Sequence, residues 1–376
     1  MASPSSSVAK AHLILDALWA RGTPCPFDEV IDVRSPAEYA DDHIPGSINL
    51  PVLGDAERAT VGTIYRGEGA FAAAKVGAAF VSANIAVHLR THFGGQSKAY
   101  KPLIYCWRGG ERSSSLATVL ARIGWRTTAL KGGYKTYRNL VRRELEDLLP
   151  RFEYSIVSGA TGSGKTRLLH TLAARGAQVL DLEALAGHRG SVLGGWGRQP
   201  SQRRFDSLLL SACDGFVPDT PVWVEAESSR IGDVYLPASL WKKMRSAGGI
   251  EVRMPFDARV NHLLTEYANL IASPPEFKEK LRLLIPRYGH RQFGVWCLLV
   301  DSGEWAGLAA SLLAVHYDPA YAVSTARYYP HVTTTETLLD ELPEALDCLA
   351  QKLYPSARER EGSMRQDHRC VSEPTA

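Results

Sequence analysis

In the second part of this 376-residue chain, the most informative stretch for the fold is Tyr154-Ser-Ile-Val-Ser-Gly-Ala-Thr-Gly-Ser-Gly-Lys-Thr166. Residues 154–158 have strand character, and the apolar periodicity after Thr166 predicts a helix. In a glycine-rich loop between a strand and a helix, backbone N–H groups point at phosphate oxygens, a lysine neutralises charge and a threonine can ligand magnesium. The sequence therefore predicts a P-loop with these phosphate-binding residues: Gly159, Gly162, Ser163, Gly164, Lys165 and Thr166.

The sequence leaves the ligand of this loop open. A hydrolytic nucleotidase needs an acidic residue on a strand beside the loop. Asp181 and Glu225, each at or near the end of a predicted strand, are the candidate acids or supporting residues. Neither candidate strand ends in the hydrophobic–Asp–Asp or hydrophobic–Asp–Glu form, so the sequence does not establish nucleotide hydrolysis. A diphosphate bound for its leaving-group chemistry would use the same cradle.

A second anion-binding motif lies upstream, at Cys106-Trp-Arg-Gly-Gly-Glu-Arg112. The cysteine follows a short apolar strand and precedes a predicted helix. A nucleophilic cysteine needs a lowered pKa, and a helix N-terminus, inward backbone amides and Arg112 would supply it. We predict Cys106 as the nucleophile and Arg112 as an oxyanion ligand. A buried structural cysteine is the competing interpretation, and it is preferred for the cysteines at 25, 213, 297, 348 and 370.

Strands alternate with helices on both sides of a boundary near Leu148-Leu-Pro150, which predicts two mainly parallel sheets and an α/β fold class. The predicted domains are 23–146 and 151–355, the second with a helical part from Pro274 onward. Residues 356–376 lack apolar periodicity and are predicted to be a disordered tail.

Composition sets further bounds. The formal net charge of +3 is compatible with a folded RNA partner without establishing one. The six scattered cysteines show no metal spacing, so neither a disulfide framework nor a metal site is expected. No stretch is expected to approach a membrane span, and a cytoplasmic protein without a membrane partner is predicted.

A glycine- and arginine-rich segment at 188–204 is a candidate RNA contact. Such a cationic loop could meet phosphates through arginine and stack a base on tryptophan. A solvated surface loop is the competing interpretation. The candidate contacts are Arg189, Trp196, Arg198, Arg203 and Arg204.

Residues 23–146 resemble the rhodanese family. The resemblance is carried by Glu29-Val-Ile-Asp-Val-Arg-Ser-Pro-Ala-Glu-Tyr39, by His43-Ile-Pro-Gly-Ser-Ile-Asn49 and by the cysteine motif with Leu130-Lys-Gly-Gly-Tyr134. The loop from Cys106 to Arg112 has one residue more than the usual sulfur-transferring loop, as in rhodanese-fold phosphatases. That width favours a phosphorus oxyanion, hence a phosphate-bearing donor.

The order of the two motifs, with Asp181-Leu-Glu-Ala-Leu-Ala-Gly-His-Arg-Gly-Ser191 and His316-Tyr-Asp-Pro-Ala-Tyr321, resembles the bacterial tRNA 2-selenouridine synthase family. The resemblance implies that selenium replaces sulfur in wobble 2-thiouridine of tRNA through an S-geranyl intermediate. The implied co-substrates are geranyl diphosphate, which we assign to the P-loop, and selenophosphate, which we assign to the cysteine loop. Cys106 would carry selenium as S-selanylcysteine. Mg²⁺ is a candidate cofactor and a selenophosphate-supplying enzyme a candidate partner.

Two other classes of function stay open. One is an ATP-dependent sulfurtransferase or kinase acting on RNA, which would turn over nucleotide without needing selenophosphate. The other is a non-catalytic regulator in which both motifs are binding modules, and its function would survive the loss of Cys106.

Overall fold

The computed structural model describes residues 25–191, 193–195, 198–339 and 343–355 of the chain. The chain forms two compact units, 1–146 with 200–215 and 147–199 with 216–376. The predicted tail 356–376 and Trp196 lie outside the described residues.

The first unit is built on a parallel four-stranded sheet with the order β2-β1-β3-β4. The strands are β1 (Glu29–Asp32), β2 (Ile48–Asn49), β3 (Pro102–Tyr105) and β4 (Thr128–Ala129). The two central strands are almost wholly buried, which is why they read as short apolar runs rather than as alternating patterns. The helices are α1 (Pro36–Asp41), α2 (Asp55–Gly67), α3 (Ala70–Thr91), α4 (Glu111–Ile123) and α5 (Gly133–Leu148).

The segment between Gly54 and Tyr100 contains the helix pair α2 and α3. Helix α3 has 22 residues and is long and apolar enough to cross a membrane by length and composition alone. The expectation that no stretch approaches a membrane span is therefore wrong for α3. Only 11% of the apolar window of this helix is buried. An alanine-rich helix reaches such hydropathy without large side chains that need a core.

A further helix, α8 (Gln202–Cys213), groups with the first unit although it follows the P-loop in sequence. Ser201 caps it by accepting the N–H of Arg204 at 3.1 Å. The Ser207 hydroxyl donates to Asp42 at 3.0 Å, and Asp206 pairs with Arg138 at 2.7 Å. These buried and half-buried contacts fix α8 within the first unit.

The second unit contains a five-stranded parallel sheet with the order β11-β10-β5-β7-β6. The P-loop strand therefore lies at the centre, directly beside the strand that ends in Glu225. The strands are β5 (Tyr154–Ser158), β6 (Gln178–Leu180), β7 (Val222–Glu225), β10 (Gly249–Arg253) and β11 (Val332–Thr337), with a separate antiparallel pair, β8 (Arg230–Ile231) and β9 (Val234–Tyr235).

The helical part predicted from Pro274 onward is confirmed except for β11. This strand is rich in threonine and lies at the sheet edge, so its exposed residues lack the alternation that marks a half-buried strand. The helices of the unit are α6 (Lys165–Ala174), α7 (Leu182–Ala186), α9 (Ala238–Ser246), α10 (Phe256–Glu266), α11 (Ala268–Ile271), α12 (Pro274–Arg282), α13 (Ile285–Asp301), α14 (Trp305–Leu312), α15 (Asp318–Tyr328) and α16 (Pro343–Leu353).

Candidate functional site

Cys106 lies between the end of β3 and the start of α4, and only 3% of its surface is exposed. Its Sγ accepts the backbone N–H of Gly110 at 3.3 Å and lies 3.2 Å from the Ser113 hydroxyl. Both partners belong to the loop and first turn of α4, so the sulfur also faces the positive end of a 13-residue helix. This arrangement favours negative charge on sulfur.

These contacts lower the pKa of the Cys106 thiol. Burial alone would raise the pKa of Cys106, but hydrogen bonds from Ser113 and from the backbone N–H groups of Gly110 and Arg108 outweigh burial and hold that pKa below the usual value for cysteine. The thiolate is the nucleophilic form. Ser113 is thus a supporting residue that the motif did not single out, although it stands one residue beyond Arg112.

Replacing Ser113 by alanine is expected to raise the pKa of Cys106, because the hydrogen bond from Ser113 stabilises the thiolate more than the thiol. The pH dependence of iodoacetamide labelling at Cys106, followed by peptide mass spectrometry, measures this pKa. Ser114→Ala is the matched control, since the Ser114 hydroxyl also donates to the Gly110 carbonyl but not to sulfur. An unchanged labelling profile in Ser113→Ala would show that the helix end and amides suffice.

Two glycines allow the loop to close. Gly109 has φ +65°, and a Cβ there would lie 2.7 Å from the carbonyl oxygen of Leu130. Gly133 has φ +54°, and a Cβ there would collide with the carbonyl oxygen of Cys106. The same carbonyl accepts the N–H of Tyr134 at 2.8 Å. The turn before α5 therefore braces the loop from behind and fixes where Cys106 points.

Arg112 is paired with a carboxylate in this structure. Its Nη1 lies 2.7 Å from Glu38 Oε2, and Arg58 approaches the same carboxylate at 3.3 Å. Burial opposes charge on Glu38, but Arg112 outweighs it and lowers the pKa of that carboxyl. The predicted pairing of Arg112 with an anion at Cys106 would require it to leave Glu38, a partner that sequence reasoning did not identify.

A cationic and aromatic pocket adjoins the cysteine loop and has a volume of about 450 Å³. Trp107 and Arg108 come from the loop itself, and Arg203 comes from α8, its guanidinium 5.8 Å from the Trp107 ring centre. Among the described residues, no ion pair engages Arg108, Lys135 or Arg142. The lining residues are Trp107, Arg108, Tyr134, Lys135, Arg138, Asn139, Arg142 and Arg203.

In the second unit, the P-loop connects β5 to α6 as predicted. Gly164 caps α6 with φ +81°, a left-handed conformation that an L side chain rarely adopts. Lys165 folds back over the loop, with Nζ 3.4 Å from the Ala160 carbonyl oxygen, and Thr166 donates to Glu225 at 3.1 Å. Ser163 is buried, and its hydroxyl has no partner among the described residues.

A buried arginine on α10 holds the P-loop in place. Arg259 Nε donates to the Thr161 carbonyl oxygen at 2.8 Å, and its other nitrogens pair with both oxygens of Asp318. Asp318 belongs to the His316–Tyr321 stretch quoted above, so that motif supports the loop. The neighbouring His316 is buried and bonds to Tyr288 at 3.0 Å.

Three carboxylates gather beside the P-loop lysine. Atoms of Glu183, Glu225 and Glu227 lie within 4.8 Å of one another. Burial and the neighbouring carboxylates raise the pKa of Glu183 to about 10 and that of Glu227 to about 7, while Lys165 opposes both shifts. Burial also raises the pKa of Glu225. A cluster of three carboxyl groups with raised pKa values holds a proton at neutral pH, or it can bind a cation.

The other candidate acid has a structural role here. Asp181 caps α7 by accepting the N–H of Ala184 at 2.9 Å and lies 2.8 Å from His170 Nε2. Glu183, two residues later, is the group that joins Glu225 and Glu227. The sequence could have identified Glu183 as well, since this residue lies just after β6, at the carboxyl edge of the sheet.

The structure separates the candidate RNA contacts. Arg189 pairs with Glu266 in the second unit and lies over the Tyr267 ring, while Arg198 is exposed. Arg203 and Arg204 belong to α8 in the first unit, where Arg203 pairs with Asp41 at 2.9 Å and Arg204 approaches the His43 carbonyl. Only Arg203 lines the cationic pocket beside Cys106.

Comparison with known proteins adds to this geometry. The family model of the tRNA 2-selenouridine synthase AAA domain matches residues 152–280, and that of the rhodanese-like domain matches 15–140. The tRNA 2-selenouridine synthase of Nitrosomonas europaea is 36% identical over 72% of this chain and 70% of its own. That of Bdellovibrio bacteriovorus is 38% identical over 63% and 64%, and that of Sulfurovum sp. is 30% identical over 78% and 87%. The predicted fold class is confirmed.

Proposed function

Since this chain belongs to the tRNA 2-selenouridine synthase family, we propose that it replaces sulfur by selenium at a wobble 2-thiouridine in two steps. The first is geranylation of sulfur at the P-loop, and the second is selenium transfer at the Cys106 loop. The observation that carries the proposal is the low-pKa thiol of Cys106 beside a cationic, aromatic surface. The cytoplasm, where tRNA matures, is the proposed location.

In the first step, the thiocarbonyl sulfur attacks C1 of geranyl diphosphate. The carbon–oxygen bond breaks, diphosphate leaves and the base loses its N3 proton. Lys165 and the loop amides would stabilise the departing charge. Thr166 and Glu225 have the oxygen donors that Mg²⁺ takes, and they would hold that ion, which would help neutralise diphosphate.

An apolar crevice beside the P-loop is the candidate site for the hydrocarbon tail of geranyl diphosphate. Thr161 of the loop lines it together with Leu263, Tyr267 and Trp305 of the helical part. Its free volume of about 40 Å³ is smaller than a ten-carbon chain needs. Binding of the geranyl tail would therefore require the surrounding helices to move apart.

In the second step, Cys106 thiolate attacks selenium of selenophosphate. The sulfur–selenium bond forms, the selenium–phosphorus bond breaks, and phosphorus leaves reduced, as phosphite. The terminal selenium then attacks C2 of the base, and geranyl thiol leaves with a proton. A cellular thiol attacks Cys106 sulfur and releases selenouridine, and a second thiol regenerates the cysteine as a disulfide forms. The electron balance thus demands two thiols per turnover.

The tRNA acceptor is supported by the pocket around the loop. Arginine and lysine can neutralise phosphates, and Trp107 can stack on an unpaired base such as the one at the wobble position. Because Trp107 and Arg108 directly follow Cys106, a base held there would lie beside the nucleophile. A selenophosphate-supplying enzyme is a proposed partner on chemical grounds, since the donor must be made by another reaction.

The proposal is tested by incubating the full-length chain with 2-thiouridine tRNA and each donor separately, then in sequence. Nucleoside mass spectrometry should find S-geranyl-2-thiouridine with geranyl diphosphate alone and 2-selenouridine only after selenophosphate is added. Selenouridine formed without geranyl diphosphate would contradict the order of steps. ATP turnover that drives modification without selenophosphate would favour the sulfurtransferase or kinase alternative.

A further inference from the structure

A groove between three helices of the first unit opens beside the cysteine loop. Helices α2 and α3 and the first turns of α4 form its walls, and its volume is about 780 Å³. Small aliphatic side chains such as Ala74, Ala78 and Val81 make up most of its surface. Small-molecule sites have this volume and an apolar lining.

Polar contacts hold the apolar helix α3 within this unit. Asn84, on this helix, donates to Glu57 of α2 at 2.7 Å, and His88 bonds to the Pro51 carbonyl at 2.9 Å. These polar contacts lie within the apolar stretch and tie α3 to the unit. The apolar side chains of α3 that line the groove therefore belong to a helix held by polar contacts within this unit.

The groove shares a lining residue with the surface of the cysteine loop. Glu111, Arg112 and Ser115 of α4, which follow the loop directly in sequence, line part of the groove. Arg112 also lines an adjoining cavity of about 420 Å³ that includes Trp107 and Arg203, and these two residues line the cationic pocket in turn. The lining therefore changes from apolar side chains in the groove to paired arginines and carboxylates in the adjoining cavity, and then to the cationic pocket.

We propose that this groove binds the prenyl chain of the S-geranylated base while the base is presented to Cys106. This inference rests on the proposed function and gives its second step a substrate site. A ligand that fits must be hydrocarbon at one end and polyanionic at the other, with its reactive carbon between them. S-geranyl-2-thiouridine within tRNA has that form, and the groove would also hold the geranyl thiol when the carbon–sulfur bond breaks.

Filling the groove tests the proposal. Ala78→Trp places a large side chain in it, and Ala79→Trp is the matched control, because Ala79 is exposed on the same helix but does not line the groove. The substrates are tRNAs carrying S-geranyl- or S-methyl-2-thiouridine, with selenophosphate as donor. The wild-type and Ala79→Trp chains should use the S-geranyl substrate at least 30-fold better in kcat/KM. Ala78→Trp should lose most of that preference and keep its activity on the S-methyl substrate.

Several results would overturn the inference. One is equal use of the two substrates by the wild type, and another is equal loss in both tryptophan variants. Binding of the full-length chain to phospholipid vesicles would indicate that the groove contacts a membrane. A dimer that only Ala78→Trp dissociates would indicate that the groove binds a second copy of the chain.

The two proposals fail differently. In Cys106→Ser chains, which cannot turn over, an anticodon stem-loop with S-geranyl-2-thiouridine should bind at least 30-fold tighter than its S-methyl counterpart. Adding Ala78→Trp should abolish that difference. If the difference is present but the wild type releases no geranyl thiol with selenophosphate, the proposed function fails while the groove stands.

Discussion

Replacement of Cys106 by serine is expected to abolish selenium incorporation and to leave S-geranyl-2-thiouridine to accumulate in tRNA. A serine hydroxyl stays protonated at neutral pH and is a poor nucleophile toward selenium. The geranylation step is expected to continue, since the P-loop belongs to the other unit. Nucleoside mass spectrometry of tRNA from cells that carry the variant measures both products.

Cys348→Ser is the matched control, because Cys348 is a free, exposed cysteine and its loss should leave selenation intact. The phosphorus product gives an independent readout by ³¹P NMR. Phosphite and consumption of two thiols are expected if selenium passes through Cys106. Phosphate without thiol consumption would mean that selenium reaches the base directly, and normal selenouridine in Cys106→Ser would remove the residue from the mechanism.

Lys165→Ala is expected to block geranylation while sparing selenation of tRNA that is already geranylated. Loss of one charge-assisted contact to a diphosphate should weaken binding by about 1.5–3 kcal/mol, which is about 10–150-fold, with a further loss in rate if Lys165 steadies the leaving group. Steady-state kinetics with varied geranyl diphosphate separates the two effects, as a rise in KM or a fall in kcat.

Lys242→Ala removes the same charge from an exposed position of the second unit and should leave geranylation unchanged. A Lys165→Ala chain that geranylates normally and fails only with selenophosphate would assign the P-loop to selenophosphate or to a nucleotide. Since Lys165 also opposes the raised pKa values of the carboxylate cluster, the variant's pH profile should be compared with that of Glu183→Gln.

Much of the fold could be predicted because its signals are local. Strand β5 was predicted with the bounds observed, and Glu225 was predicted at the end of a strand, as it is in β7, since each strand is a short apolar run with a turn signal or charge at its end. Strand β11 was missed because threonines at an exposed edge give no alternation. The membrane expectation failed for α3 because alanine raises hydropathy without requiring burial.

The candidate sites divide in the same way. The P-loop and the Cys106 loop are continuous in sequence, so their glycines, lysine and cysteine could be identified directly. The pairing of Arg112 with Glu38 joins residues 74 positions apart, and no pattern in the sequence encodes that distance. Likewise, Arg189 and Arg203 are close in sequence but belong to different units.

Two glycine-containing loops on an α/β framework could be predicted from the sequence, because glycine conformation, strand character and helix starts are properties of neighbouring residues. What surrounds each loop depends on the tertiary structure. The cluster of Glu183, Glu225 and Glu227 depends on the order of parallel strands, and the apolar groove depends on how α2, α3 and α4 pack. Contacts of that kind arise from burial and packing of distant segments, which local patterns do not specify.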